Sequence, residues 1–191
     1  MFSGKKGKFG YLKKQPIKIG LFTLLIIAGC AGIFWIGYIL TDTNKNIFTL
    51  AAVLGMLPAA KLIVSFIMYL KAEKFAISET LYDKYEDLLK DTKLKYGFDL
   101  YLTSEKYNFP VSVCVIADKS IFLYLNSPKA DVNKCKEHVD KYLNNNKIQG
   151  YKVYPFSDEA KFYDRLKNVC EKYEFDENDI APFELIKNLA L

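Results

Sequence analysis

The chain has 191 residues, of which 51% are hydrophobic and 15% aromatic, and its formal net charge is +5. The charge is unevenly distributed, because residues 1–18 carry six lysines and no acid, whereas residues 72–191 carry a net charge of −3. Phosphate backbones require a concentrated positive surface, so the composition argues against nucleic acid as a partner.

Residues 1–16 form a basic arm that is rich in glycine and lysine. Two compatible interpretations stay open for this arm. It is a disordered tail that only sets the membrane topology, or it is held on anionic lipids of the inner leaflet. Each lysine near such a surface contributes about 1 kcal/mol of attraction. The lysines expected to contact lipid are Lys5, Lys6, Lys8, Lys13 and Lys14.

Two apolar segments, residues 17–40 and 47–70, predict a transmembrane helical hairpin that occupies residues 17–71. Each segment has 24 residues, and about 20 apolar residues suffice to cross the hydrocarbon core of a bilayer. The first segment is too long for the apolar region of a signal peptide. Lysines flank both ends of the hairpin, so the positive-inside rule predicts a cell-membrane protein with both termini in the cytoplasm.

Small residues recur at helix-face spacing in both apolar segments. Such stripes let two helix backbones approach closely inside a bilayer. The simplest partner of each stripe is the other helix of the same hairpin, and the alternative is a contact between copies of the chain. The residues concerned are Ala28, Gly32, Ala51, Gly55 and Ala59.

Lys61 lies near the middle of the second segment, where insertion of a lysine costs roughly 2.5–3.5 kcal/mol. Pro58 removes a backbone donor three residues earlier and thereby frees the carbonyl of Leu54. We expect this pair either to line a polar pocket, an ion path or a partner's docking site, or to be merely tolerated by the hairpin. Both interpretations stay open.

Residues 72–191 predict a cytosolic α+β domain with the order helix, three strands, helix, strand, helix, helix. Leu81, Tyr85 and Leu89 recur at helical spacing after the N-cap Ser78. Apolar runs predict strands at residues 98–103, 111–117, 121–126 and 151–156. Helices are expected at residues 131–143 and 158–173, and Pro182 opens a short terminal helix.

The residues give no support to an enzyme. His138 is the single histidine, and no phosphate-binding glycine pattern is present. Cys135 and His138 are three residues apart on a predicted helix, but without a Cys-x-x-Cys pair we expect buried reduced cysteines instead of a zinc site. We therefore expect no metal, no cofactor and no catalytic residue.

The element order of the domain resembles the PD-(D/E)XK nuclease fold. That resemblance implies an acid at the start of the second strand and Glu-x-Lys in the third. Here the second strand opens with Pro110 and Val111, Asp118 follows its end, and residues 121–125 read Ile-Phe-Leu-Tyr-Leu. Metal-dependent hydrolysis needs carboxylates to hold the metal. The resemblance therefore implies at most a degenerate, binding-only version of this fold.

The hairpin, with Leu-Pro-Ala-Ala-Lys at residues 57–61, resembles small two-span membrane proteins of AT-rich Gram-positive bacteria. This resemblance implies no activity. The sequence favours a bacterial membrane protein that presents its cytosolic domain, as a non-enzymatic scaffold or interaction module, to an unidentified protein partner. The alternatives are a membrane-tethered nuclease-like domain and a small oligomeric channel or transporter subunit that uses Lys61.

Overall fold

The structure is a computed structural model that describes residues 6–173 and 176–191. The chain forms two compact units. One is Lys13–Glu73, and the other unites Met1–Leu12 with Lys74–Leu191, so the start of the chain belongs to the same unit as its end. The described residues form an α+β fold with six α-helices and a four-stranded mixed sheet.

Two long helices, α1 (Tyr11–Thr41) and α2 (Ile47–Glu73), account for the unit Lys13–Glu73. Both are long and apolar enough to cross a membrane. Only 11% of the most apolar window of each is buried, unlike the core helix of a soluble protein. Helix α1 begins six residues before the predicted apolar segment, because hydropathy marks the span and not the start of the helix.

Asn46 organises the turn that joins these two helices. Its side-chain oxygen accepts a hydrogen bond from the backbone N–H of Thr49 at 2.8 Å, which satisfies a free donor in the first turn of α2. Its side-chain nitrogen donates to the hydroxyl of Thr41 at 2.8 Å and to the backbone oxygen of Thr43 at 2.6 Å. One asparagine thus links the end of α1 to the start of α2.

The α+β unit contains the predicted elements in the predicted order, which confirms the α+β part of the predicted fold class. Helix α3 comes first, strands β1 to β3 follow, and β4 lies between α4 and α5. The bounds are α3 (Glu79–Leu89), β1 (Lys95–Thr103), β2 (Asn108–Ala117), β3 (Ser120–Leu125), α4 (Val132–Asn145), β4 (Lys152–Phe156), α5 (Glu159–Lys172), a short 3-10 helix (Glu177–Asp179) and α6 (Ile180–Leu189).

The sheet has the strand order β1-β2-β3-β4. The first two pairings are antiparallel, whereas β3 and β4 run parallel because α4 provides the crossover between them. The register of β2 against β3 shifts between Val111 and Val113, so Ser112 lies in a bulge. In the neighbouring strand β1, Asp99 has a positive φ of 54°.

Apolar side chains cover both faces of the sheet. On one face Cys114 and Leu123 belong to the same buried cluster as Val139 of α4, together with residues of α6. On the other face Val113 and Phe122 cluster with Phe162 of α5 and with residues of α3. Burial on two faces explains why β2 and β3 are continuously apolar and lack alternation.

Candidate functional site

The five predicted helix-packing residues divide into two groups in the structure. Ala28, Gly32 and Ala51 are exposed on the hairpin. Ala59 is fully buried, and a Cβ atom placed on Gly55 would lie 2.8 Å from the Sγ atom of Cys30. Gly55 therefore lies in the contact between α1 and α2 and Ala59 is buried, whereas Ala28 and Gly32 lie on the exposed surface of α1.

Two glycines that were not singled out in the sequence also lie in this helix contact. A Cβ atom on Gly37 would collide with the Cβ atom of Phe48, and one on Gly20 would lie 3.0 Å from the ring of Phe66. By contrast, a Cβ atom on Gly29 would meet nothing within 4 Å. A glycine stripe alone does not reveal which of its members faces the second helix, because α1 is apolar on all sides.

Lys61 and Pro58 are both exposed on the surface of the hairpin. The backbone oxygen of Lys61 accepts a hydrogen bond from the hydroxyl of Ser65 at 3.1 Å. Among residues 6–173 and 176–191, no carboxylate forms an ion pair with Lys61. A role of Lys61 and Pro58 in a polar pocket, an ion path or a contact with a partner stays a prediction.

Residues 6–12 of the basic arm pack on the α+β unit and do not form a free tail. The Nζ atom of Lys6 donates to the backbone oxygen of Ala190 at 2.7 Å, and burial lowers the pKa of this lysine. The backbone oxygen of Gly7 accepts from the N–H of Phe98 in β1 at 2.9 Å. Of the other predicted lipid-contacting lysines, Lys8, Lys13 and Lys14 are exposed, and Lys5 lies outside the described residues.

Aromatic stacking adds to these arm contacts. The ring of Phe9 stacks on that of Tyr82 in α3, with the centroids 4.2 Å apart. Gly7 and Gly10 both have positive φ angles, of 83° and 74°. Glycine adopts such angles without the steric cost that other residues bear. The glycines that suggested a flexible arm therefore allow the arm to adopt one defined backbone conformation.

The arm contacts Asp99, a buried acid that is only 2% exposed. Its Oδ2 atom accepts a hydrogen bond from the backbone N–H of Gly10 at 2.8 Å. Its Oδ1 atom accepts one from the backbone N–H of Ile77, also at 2.8 Å. We call this arrangement the Asp99 clasp. A buried carboxylate needs such charge-assisted hydrogen bonds to offset its desolvation.

The Asp99 clasp joins the two segments that flank the hairpin in the sequence. Gly10 directly precedes α1, and Ile77 follows the end of α2 and is fully buried in the core beside α3. The sequence reasoning missed this clasp. The one available signal was an acid between Phe98 and Leu100, inside an otherwise apolar strand.

A cleft of about 370 Å³ lies between the β1–β2 turn and helix α4. Lys106 and Tyr107 line it from the turn, and His138, Lys141 and Tyr142 line it from the helix. The ring of His138 lies 5.6 Å from that of Phe109 and 4.9 Å from that of Tyr142, between centroids. The charged neighbours Lys136, Glu137 and Asp140 predict a solvated helix face for His138, whereas the structure makes it half-buried among rings.

The surroundings of His138 favour the neutral form of its imidazole. Burial lowers the pKa of its imidazole, and the nearby charge of Lys141 lowers it further, while a hydrogen bond with the backbone of Thr103 acts in the opposite direction. Its Nε2 atom is buried and makes no hydrogen bond to the residues that the structure describes. The cleft therefore has its positive charge on lysines and a neutral histidine in its wall.

The cysteines do not form a metal site with His138. Cys114 and Cys135 are fully buried free thiols, and burial raises the pKa of both, that of Cys135 to about 12. In the described part of the chain, no three His, Cys, Asp or Glu side chains are grouped so that they could hold a metal ion. β2 begins at Asn108 and β3 contains no acid, so the positions that the nuclease resemblance implies carry no carboxylate.

Comparison of the chain with protein-family models, with curated proteins and with solved structures finds no match. The fold and its contacts define a class of molecule in physical terms. It is an α+β domain in which Asp99 binds the segments before α1 and after α2, and the chain also contains two apolar helices of membrane-spanning length.

Proposed function

We propose that the protein is an integral membrane protein that presents a small cytosolic α+β domain, as a non-enzymatic interaction or scaffold module, to a protein partner. The observation that carries this proposal is the exposed apolar surface of α1 and α2. Among the described residues, all but four of the large exposed apolar side chains lie on these two helices. A soluble monomer rarely exposes an apolar surface of this extent.

The α+β domain needs no such cover, because its apolar residues are buried on both faces of the sheet. Trp35 and Tyr38, which are 61% and 43% exposed, lie near the loop end of α1. Tryptophan and tyrosine are enriched where a span meets the membrane–water interface. Their position therefore supports a bilayer, more than a protein partner, as the cover of the hairpin.

The Asp99 clasp supports a topology with both ends of the hairpin on one side of the membrane. Gly10, ahead of α1, and Ile77, after α2, bind the same carboxylate, so the chain crosses the bilayer an even number of times between them. The lysines on both flanks then favour the cytoplasmic side, by the positive-inside rule. This argument from the clasp is independent of the distribution of lysines.

The non-enzymatic role rests on the residues of the domain. The strand positions at which the nuclease resemblance expects metal-binding acids are apolar or amide side chains. Cys114 and Cys135 are fully buried, and burial raises the pKa of both thiols, so neither supplies a reactive thiolate.

Membrane extraction tests the anchor directly. Membranes of cells that express the protein are washed with alkaline carbonate and then dissolved in mild detergent. We expect the protein to stay in the carbonate pellet and to enter the detergent extract with a specific, stoichiometric protein partner after crosslinking. Release by carbonate would contradict the anchor. Recovery from detergent without any specific partner would contradict the interaction role.

A further inference from the structure

We propose that the cleft between the β1–β2 turn and α4 binds a small organic anion in which a phosphate monoester is joined to a flat ring, the chemistry of a nucleoside monophosphate. The inference concerns a site in the α+β domain and does not depend on the membrane role. It rests on two features of the cleft: uncompensated lysines and exposed ring faces.

The lysines supply the site for the phosphate. Lys106 and Lys141 line the cleft with a single acid, Glu105, and both lysines are exposed. Neither forms an ion pair with a carboxylate of the described residues. The neighbouring Lys134 is engaged already, because its Nζ atom donates to the hydroxyl of Tyr107 at 2.7 Å. Two free ammonium groups that flank one concave surface attract an anion.

The rings of the cleft supply the site for a flat group. Tyr107 is 42% exposed and Tyr142 is partly exposed, and both line the cleft. The ring of Tyr142 is held by an edge contact with His138, at 4.9 Å between centroids. Fixed aromatic faces bind nucleobases by stacking, with a gain that does not depend on the base. The ring part of the ligand is therefore expected to lie on Tyr142.

The imidazole of His138 forms part of the cleft wall and supports the ring of Tyr142. Its Nε2 atom is buried and makes no hydrogen bond to the described residues. A ligand in the cleft therefore meets the lysines and the tyrosine rings, and not this nitrogen.

Other ligand classes fit the cleft less well. A metal cation is disfavoured by the two lysines, and no group of three metal-ligating side chains occurs among residues 6–173 and 176–191. A single-stranded nucleic acid needs a long basic track with several stacking rings, whereas residues 72–191 carry a net charge of −3. A volume of about 370 Å³ is at the small end of ligand pockets.

The test is calorimetric titration of the full-length protein in detergent with adenosine monophosphate, with adenosine and with inorganic phosphate. We expect saturable binding of the monophosphate and at least about tenfold weaker binding of each fragment. Lys141→Gln and Lys106→Gln should each weaken monophosphate binding about tenfold, because each removes a charge-assisted contact. Lys136→Gln, on the same helix but outside the cleft, is the matched control and should bind as the unchanged protein does.

A second variant separates the ring contact from the charge. Tyr142→Leu keeps an apolar side chain but removes the flat face, and it should weaken the monophosphate about fivefold while leaving inorganic phosphate unaffected. The proposal is overturned if adenosine, guanosine and uridine monophosphates all fail to saturate the protein below about 10 mM. It is equally overturned if inorganic phosphate binds as tightly as the monophosphates, or if Lys136→Gln loses as much affinity as Lys141→Gln.

Discussion

The carboxylate of Asp99 accepts a hydrogen bond from the backbone N–H of Gly10, 89 residues earlier in the chain, at 2.8 Å. The same carboxylate binds the N–H of Ile77, 22 residues earlier. The start of α1 and the segment after α2 are thus attached to one residue of β1. Since the carboxylate is buried, its two hydrogen bonds are shielded from water and contribute more than exposed ones would.

Asp99→Asn should destabilise the α+β unit by about 2–3 kcal/mol. The amide keeps one acceptor oxygen but turns an NH₂ group toward a backbone donor, so one buried N–H loses its partner. Asparagine tolerates a positive φ, and the backbone at this position is therefore unaffected by the change. Hydrogen exchange of the full-length protein in detergent measures the effect, as loss of protection at Gly10 or Ile77.

The matched control for this change is Asp118→Asn. Asp118 also has a positive φ, of 48°, but it is exposed in the turn between β2 and β3. We expect the control to alter stability by less than about 0.5 kcal/mol. Equal protection of Gly10 and Ile77 in the Asp99→Asn variant and the unchanged protein would show that the clasp does not hold these segments.

Gly37→Ala should weaken the contact between α1 and α2 by about 1–3 kcal/mol. A Cβ atom at this position collides with the Cβ atom of Phe48, so the helices must separate. Gly29→Ala is the control in the same helix, since its Cβ atom meets nothing within 4 Å. Energy transfer between dyes near Gly20 and Phe66 reports the separation. Indistinguishable transfer in the two variants would refute the helix contact as described.

The thiols of the domain should react in a defined order with a small maleimide. Cys170 is half-buried, whereas Cys114 and Cys135 are fully buried and their thiol pKa values are raised by burial. Only the thiolate reacts, and a buried thiol must wait for local opening. Peptide mapping should show Cys170 modified at least about 100-fold faster than the other two. Comparable rates for all three would contradict the buried cluster on that face of the sheet.

Stability should fall as the pH drops below about 6.5 because of His138. Its folded-state pKa is lowered, by burial first and by Lys141 second, so the unfolded chain binds the proton more readily. The loss begins at the unfolded-state pKa and ends at the lower folded-state value. Thermal unfolding of the His138→Gln variant should lack this part of the pH dependence. An unchanged pH profile in the variant would show that another group is responsible.

Lys61→Leu should insert into membranes at least as well as the unchanged protein. Lys61 is exposed on the hairpin and has no ion-pair partner among the described residues, so leucine removes a desolvation cost of roughly 2.5–3.5 kcal/mol. Native mass spectrometry from detergent should give the same oligomeric state for both proteins. Loss of an oligomer on this substitution would assign Lys61 to a contact between copies and favour the channel alternative.

Local patterns in the sequence were sufficient to predict the elements of the domain. The helical spacing of Val132, Cys135 and Val139 located α4, and the structure adds that Asp131 caps its first turn. The compact apolar run of residues 111–117 located β2. These features depend on neighbours within a few residues, which a single sequence displays directly.

The Asp99 clasp and the cleft depend on residues that are distant in the sequence. Nothing in the arm indicates that Gly10 donates to a carboxylate in β1, and its glycines are equally typical of a flexible tail. The cleft likewise forms only when the β1–β2 turn approaches His138 of α4. A charged neighbourhood in the sequence suggested a solvated histidine, because the rings of Phe109 and Tyr142 are brought to it by the fold.

Cysteine accessibility in intact cells tests the central claim most directly. Single cysteines are introduced by Lys8→Cys in the arm, Asn44→Cys in the hairpin turn and Lys129→Cys before α4, and labelling by a membrane-impermeant maleimide is compared with that of the unchanged protein. The account predicts that Asn44→Cys is labelled in intact cells, and that the other two are labelled only after permeabilisation. Labelling of the arm and the domain from opposite sides of the membrane would contradict it.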